Sequence, residues 1–353
     1  MTSFMRVPRR VAIVKPSALG DIVHALPVLS ALRAEWPSAH ITWVVNRVFQ
    51  PLLVGHPHLN DTMIFDRGAY KKNLLRATSY SVEFINELRR RRFDLVLDLQ
   101  GLLRTGLMCA ATGAPVRIGF ANAREGSRHF YTHRVEVPDA DRIHAVERYW
   151  RIVERLGAGQ RKMEFHVPLQ QCELEATQQE LADLPRPWVA IAAGARWLTK
   201  RWPIAHFAAL ANRMFHAYGG SVVLVGAPDD NALSLELSKQ LRGPFRDLTG
   251  QTSLPRLTAI LAKSDVMLAN DTGPLHLAAA LGRPCVAPYT CTKVTLHGPF
   301  SSMAGGIETS VPCRGSYLRE CPNGLICFAD LSPDKLWASL QNAIETGAKQ
   351  RCD

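Results

Sequence analysis

The chain has 353 residues, 47% hydrophobic and 21% charged, enough for two buried cores at about 150 residues per domain and unlike disordered, collagen-like or coiled-coil chains. Lys and Arg number 42 against 31 Asp and Glu, a net charge of +11. Residues 1–160 hold 23 basic and 14 acidic side chains, a net +9, and residues 161–353 hold 19 and 17, a net +2. A basic front half points to nucleic acid, a phosphorylated small molecule or an acidic membrane surface, or else only to a solvated face.

In chain order, Val11–Val14 reads as a short buried strand, and Ile22–Ala34 has helical spacing up to Pro37. Ile41–Val45 is the next strand, Ser81–Arg92 a helix, Leu95–Leu99 a strand, and His144–Leu156 a long helix closing at Gly157. The programme then restarts. Glu173–Leu184 is helical, Val189–Ala193 a strand, Ile204–Tyr218 a helix, Ser221–Val225 a strand and Leu233–Leu241 a helix. Leu254–Ala262 is a helix, Val266–Ala269 a strand, Pro274–Leu281 a helix and Cys285–Pro288 a strand. Ser332–Thr346 is a last helix, with Ser332 as N-cap and Pro333 in its first turn. Short apolar runs alternating with helices predict parallel sheets in an α/β fold. The expected layout is residues 1–170, residues 171–331 and a tail of residues 332–353, with a cleft between two α/β halves.

No apolar run approaches the ~18 residues of a membrane span, and Val11–Val14 runs into Lys15, too short for a signal-peptide core. A cytoplasmic protein is therefore expected. Its eight cysteines contain no Cys-x-x-Cys pair, so neither a zinc ribbon nor a thioredoxin-type site is signalled. Cys313, Cys321 and Cys327 fit no common metal spacing and are expected to be structural or buried thiols.

Ligands of such sheets sit at the carboxyl ends of strands, so the loops there carry the chemistry. In Lys15-Pro-Ser-Ala-Leu-Gly-Asp21, Gly20 allows a tight turn, and Asp21 at a helix start is either a cap or a carboxylate general base. In Asn270-Asp-Thr-Gly-Pro-Leu-His276, the amides of Thr272, Gly273 and Leu275 would form an anion site at a helix N-terminus, unless Asp271 and Thr272 simply cap it. In Ala193-Gly-Ala-Arg-Trp-Leu-Thr-Lys-Arg-Trp-Pro203, Lys200 could neutralise a phosphate or be a surface charge. After the next strand, Asp229 or Asp230 could accept a ribose hydroxyl, or both could be caps. There is no G-x-G-x-x-G after a strand and no P-loop. With 8% aromatic residues and scattered basic ones, nucleic-acid binding is disfavoured.

Together, Val14-Lys-Pro-Ser-Ala-Leu-Gly-Asp-Ile-Val-His-Ala-Leu-Pro27, Asp98-Leu-Gln-Gly101, Arg117-Ile-Gly-Phe120, His144-Ala-Val-Glu-Arg148, Lys200-Arg-Trp-Pro203 and Asn270-Asp-Thr-Gly-Pro-Leu-His276 resemble the lipopolysaccharide heptosyltransferases, the ADP-heptose glycosyltransferases of family 9. Ala123-Arg124-Glu125 to Phe130-Tyr131 is similar to the first heptosyltransferase, which acts on Kdo of Kdo-lipid A. Pro312-Cys313, Arg319-Glu-Cys321-Pro and Cys327 are similar to the second or third. The Pro288-Tyr-Thr-Cys-Thr-Lys293 loop departs from the family's Phe-Gly-Pro-Thr type.

The resemblance implies a GT-B fold of two facing Rossmann-like domains, acceptor on the first and nucleotide-sugar on the second. It implies metal-independent, inverting transfer of heptose from ADP-heptose to the Kdo/heptose inner core, with no cofactor. A related enzyme using another nucleotide-sugar for a different surface glycan is the alternative. By motif, Asp21 is the general base, and Ser17, Gly20, His24, Gln100 and Arg124 lie on the acceptor side. Lys200, Thr272 and Gly273 hold the donor diphosphate, and Gly194, Asp229, Asp230, Asp271 and His276 the nucleoside and sugar. The acceptor would be an anionic lipid-linked Kdo saccharide at the inner face of the inner membrane, with Lys71, Lys72, Arg89–Arg92, Arg124 and Arg128 as candidate contacts.

Overall fold

A computed structural model of the chain describes residues 7–71 and 74–352. The chain divides into two compact units, Met1–Pro168 and Leu169–Asp353. Lys72 and the Lys71 side chain, both named as candidate acceptor contacts, lie outside the described residues.

The first unit runs β1 (Arg10–Val14), α1 (Leu19–Glu35), β2 (His40–Asn46), β3 (Asp61–Phe65), α2 (Leu74–Arg90), β4 (Leu95–Asp98), α3 (Leu103–Ala111), β5 (Val116–Phe120), β6 (His133–Val135) and α4 (Ala145–Arg155). Its strands form one parallel sheet in the order β3-β2-β1-β4-β5-β6. The second unit runs α5 (Gln171–Glu180), β7 (Trp188–Ala192), α6 (Ile204–Tyr218), β8 (Ser221–Leu224), α7 (Asn231–Ser238), β9 (Phe245–Asp247), α8 (Leu254–Lys263), β10 (Val266–Ala269), α9 (Gly273–Ala280), β11 (Cys285–Tyr289), α10 (Val294–His297), β12 (Gly306–Glu308), α11 (Cys327–Asp330) and α12 (Pro333–Cys352). Its sheet is also parallel, in the order β12-β11-β10-β7-β8-β9.

Both sheets have the doubly wound 3-2-1-4-5-6 order. The chain leaves the central strand to one side and later returns to its other side. The switch point lies between β1 and β4 in the first unit and between β7 and β10 in the second, where ligands of open α/β sheets bind. The central strands are buried apolar runs, as strands covered on both faces must be. The helix α12 belongs to the second unit's core, since Leu336, Leu340, Ala343 and Ile344 pack there with Phe207 and Val286. Ser332 caps it, its Oγ accepting the Lys335 amide at 3.4 Å.

The elements without a clear apolar signal are edge strands and glycine-bearing segments. The three-residue strands β6, β9 and β12 are too short and polar to show period-two patterning, the usual state of a protected sheet edge. Strand β5 carries Gly119 because the Tyr131 ring lies across it. A Cβ there would meet the ring at 2.4 Å. Helix α3 carries Gly106 for the same reason, against Phe130 and Ser127.

Candidate active site

In the first unit the loop after β1 leads directly into α1, which begins at Leu19. Gly20 is therefore the second residue of the helix and not a tight turn, a correction to the sequence reading; its φ is not positive. Asp21 occupies the third helical position, and its Oδ2 accepts the Ala18 amide at 3.1 Å. The cap reading is thus true, but it leaves more to account for. Lys15, only 2% exposed, reaches the same oxygen at 3.5 Å, and the Tyr149 hydroxyl faces Oδ1 at 3.5 Å. The Asp21 side chain keeps 41% exposure. Burial works to raise its pKa, but the Lys15 ammonium, the Ala18 amide and the Arg148 guanidinium together hold the carboxyl below its ordinary value. Desolvation opposes the charge of Lys15, yet Tyr149 and Asp21 raise its pKa. The group is a carboxylate held ionised at neutral pH on the first turn of α1, half-exposed to a proton donor.

Helix α4 explains the His144-Ala-Val-Glu-Arg148 motif. His144 is its N-cap, Nδ1 accepting the Val146 amide at 3.1 Å, and Glu147 Oε2 accepts the His144 amide at 2.8 Å. This fixed start places Arg148 and Tyr149 beside Asp21, with the Arg148 guanidinium 5.3 Å from the Tyr149 ring centroid. His24 is 5% exposed and stacks edge-on against His144, the ring centroids 5.0 Å apart, so it packs beneath the loop.

Asp98 ends β4 across the switch point and is wholly buried. It accepts the Gln100 amide at 2.8 Å, the Gly101 amide at 3.0 Å and the Tyr131 hydroxyl at 2.8 Å. Burial raises its pKa against those hydrogen bonds. This knot shapes the turn that carries Gln100, with Gly101 at φ +69°. The Arg124 amide bonds the Gly101 carbonyl at 2.9 Å, and the Arg124 side chain is exposed. Ser17 is half-buried in the β1–α1 loop. Arg128 is exposed. Arg89–Arg92 do not belong with these residues. They precede β4, at the opposite end of the sheet from Asp21, and Arg91 is held by Asp61 at 2.5 Å and Glu87 at 2.7 Å. Counting charge along the chain could not see that a parallel sheet has two ends.

In the second unit, Asn270 at the end of β10 is wholly buried and ties the switch point together. Its Nδ2 donates to the Ala193 carbonyl at 2.7 Å, and its Oδ1 accepts the Trp202 amide at 3.1 Å. Trp202 itself is anchored in the core, Nε1 donating to the Leu331 carbonyl at 2.7 Å. Lys200 is thereby delivered to Asp271 at 2.5 Å. Asp271 is 8% exposed and also takes Thr292 Oγ1 at 2.8 Å and faces His276 Nε2 at 3.3 Å. Burial opposes its charge, but His276 and Lys200 hold its pKa well below the usual carboxylate range. Thr272 stands at the N-cap of α9, but its side chain makes no capping hydrogen bond. The Thr272 hydroxyl donates to the Asn270 carbonyl at 3.2 Å and leaves the first amides of α9 uncapped by a side chain. Those amides and the N-terminal dipole suit an anion.

The departing Pro288–Lys293 loop joins this site. Thr290 donates to the Thr199 carbonyl, Thr199 to the Leu318 carbonyl, and Thr292 to Asp271. Thr292, Lys15 and Tyr149 are the residues that sequence reasoning missed. The position after a strand was the available signal for Lys15, directly after β1, and for Thr292, shortly after β11.

At the neighbouring strand end, Asp230 rather than Asp229 turns inward. A Cβ on Gly194 would fall 2.0 Å from Asp230 Oδ1, so the carboxylate lies directly on the Gly194 backbone. Its Oδ2 accepts the Ala227 amide at 3.0 Å, and Asp229 is exposed. Gly194→Ala must therefore displace the Asp230 carboxylate. If Asp230 holds the donor, a lost charged hydrogen bond of ~1.5–3 kcal/mol raises donor KM about 10- to 100-fold, with little change in melting temperature. Steady-state kinetics at saturating acceptor read this, and an unchanged KM removes Asp230 from the donor site.

Of the three tail cysteines, Cys327 is buried and its thiol is pushed up to about 11 by desolvation and the nearby Cys321 and Cys313. Cys313 and Cys321 are half-buried free thiols. Among the described residues no group of three or more His, Cys, Asp or Glu is placed to hold a metal ion. Among them, too, no helix is long and apolar enough to cross a membrane.

Comparison with known proteins bears directly on this geometry. The profile of glycosyltransferase family 9 (heptosyltransferase) matches residues 81–326. The chain is 28% identical over 357 residues to lipopolysaccharide heptosyltransferase 1 of Pseudomonas aeruginosa, covering 94% of this chain and 97% of that one. A family 9 glycosyltransferase structure from Veillonella parvula superimposes with a TM-score of 0.81 at 21% identity, over 95% and 97% of the two chains. An E. coli heptosyltransferase solved with ADP superimposes at 0.71 and 24% identity, over 95% and 99%. The fold is of GT-B type, and the chain belongs to glycosyltransferase family 9, the heptosyltransferases. It is a glycosyltransferase, as the strand-end motifs led one to expect.

Proposed function

We propose that the protein transfers heptose from ADP-heptose to the Kdo/heptose inner core of lipopolysaccharide, inverting the anomeric carbon without a metal ion. The observation that carries the reaction is the half-exposed, ionised Asp21 at the first unit's switch point. As general base it takes the proton of an acceptor hydroxyl as that oxygen forms its bond to the anomeric carbon and the bond to the diphosphate breaks. Its low pKa limits its basicity but keeps it ready at every physiological pH. The diphosphate that leaves gains charge, and Lys200 together with the Thr272 and Gly273 amides is suited to receive it. Asp271 uses one of the three Lys200 donors and leaves two for the diphosphate. Preorganised donors of this sort contribute ~3 kcal/mol each in the transition state. The Asp230 carboxylate against Gly194 is the group suited to a ribose hydroxyl. The ADP and ADP-2-deoxy-2-fluoro heptose named with E. coli relatives support this donor. The cytoplasmic face of the inner membrane is where such an acceptor is met.

A thermal-shift panel tests the donor. A ligand held 100-fold above its Kd stabilises the native state by ~2.7 kcal/mol, so ADP-heptose should raise the melting temperature by several degrees without added metal. A larger rise with a UDP-sugar would instead favour a different surface glycan.

A further inference from the structure

The first unit contains a cavity of about 960 Å³ that the transfer chemistry does not use. It is at the upper end of the range of about 300–1,000 Å³ typical of ligand sites. Its floor is apolar, formed by Phe49, Phe84, Ile85, Leu107 and Met108 from β2's following turn, α2 and α3. Val48 at its mouth is 68% exposed and Leu107 50%, apolar surface that a lone domain gains nothing by showing to water. Three arginines, Arg47, Arg67 and Arg104, line it, against a single carboxylate, Asp66, which pairs with Arg47 at 3.1 Å. The Nε of Arg104 is buried with no hydrogen-bond partner among the described residues. Ser17, four residues before Asp21, belongs to the same wall. An occupant with a long apolar body and an anionic head is the chemistry that satisfies both the floor and the arginines.

We propose that this cavity binds an acyl chain of the anionic, lipid-linked acceptor, so that the lipid part of the substrate is recognised inside the first unit. The proposal rests on the acceptor being lipid-linked, and it adds that the enzyme grips the chain as well as the sugar. Filling the cavity should then affect acylated ligands and leave the Asp21 chemistry alone. Guanidinium groups favour a phosphate or carboxylate head over a neutral one.

The test is equilibrium binding of dodecyl phosphate, below its micelle concentration, to the full chain. Dodecyl maltoside and inorganic phosphate serve as the other arms. Saturable binding of dodecyl phosphate is expected, weaker binding of the maltoside, and none of phosphate alone. Leu107→Glu places a charge on an already half-exposed position, and Ala111→Trp fills the lining. Each should weaken dodecyl phosphate binding at least 10-fold while the melting temperature holds. No saturable binding, equal binding of the maltoside or of phosphate, or equal affinity in both variants overturns the proposal. Because no donor or turnover enters this assay, its failure leaves the transfer reading standing, and failure of transfer leaves this result standing.

Discussion

Asp21→Asn folds normally and loses ~10²-fold or more in turnover, the usual contribution of a positioned general base. The structure makes this a clean substitution. Asparagine keeps an oxygen for the Ala18 amide, which Asp21 Oδ2 now accepts at 3.1 Å, so the start of α1 should survive. What is lost is the negative charge, which receives the proton and also partners the buried Lys15 ammonium at 3.5 Å, so a modest fall in melting temperature accompanies the loss of turnover. Turnover near normal would reduce Asp21 to a helix cap. The pH profile adds a second reading. Asp21 must be ionised to act, and its carboxyl is held below the ordinary range by Lys15, Ala18 and Arg148 against the opposing effect of burial. Activity should therefore fall on the acid side only below about pH 4, the unperturbed carboxylate value. Lys15→Met removes the ammonium 3.5 Å away and should move that limb to higher pH. An unmoved limb would mean that another group sets it.

Lys200→Met should cost about 3 kcal/mol of stability at pH 7 and also reduce kcat. Removing one partner of a buried ion pair leaves the other charge uncompensated, a loss of ~3–5 kcal/mol in other proteins. Here Asp271 retains Thr292 and His276, which puts the value at the lower end of that range. The sign of the pH dependence follows from the depressed Asp271 pKa. A carboxylate with a lowered folded-state pKa contributes stability above its unfolded value near pH 4 and loses it as the pH falls through the folded value. Without Lys200 that depression shrinks, so the deficit of the variant should be full at neutral pH and narrow on acidification. Adding Asp271→Asn removes the stranded charge and should recover part of the loss. Chemical denaturation at several pH values reads all three. A deficit independent of pH, or no recovery in the double variant, would contradict the pairing.

The strand-end loops were legible in the sequence because their chemistry is local. Asp21, Gly194, Lys200, Asp271 and Thr272 each follow a strand, and α6 and β10 begin and end at the residues their periodicity marks. Tyr149 and Thr292 were not legible, since each acquires its role only against a residue distant in the chain, and Lys15, though it opens the Asp21 loop, shows its burial and its pairing only in the fold. The choice between Asp229 and Asp230 needed the backbone contact at Gly194 to settle its geometry. Asp98 reads as a motif residue, yet its weight comes from Tyr131 crossing Gly119, which no one-dimensional pattern shows. The arginines at 89–92 show the reverse error, a charge run whose position at the far end of the sheet excludes it from the Asp21 loop. The +9 of the front half is better represented by Arg47, Arg67 and Arg104 around the cavity beside Ser17.

The central claim is the transfer itself. Mass analysis of the product formed by purified protein from ADP-heptose and Kdo-lipid A, without added metal, tests it most directly. The expected product is an acceptor heavier by one heptose residue, formed together with free ADP and absent in Asp21→Asn. An unmodified acceptor, from a preparation whose melting temperature ADP-heptose raises, would contradict it.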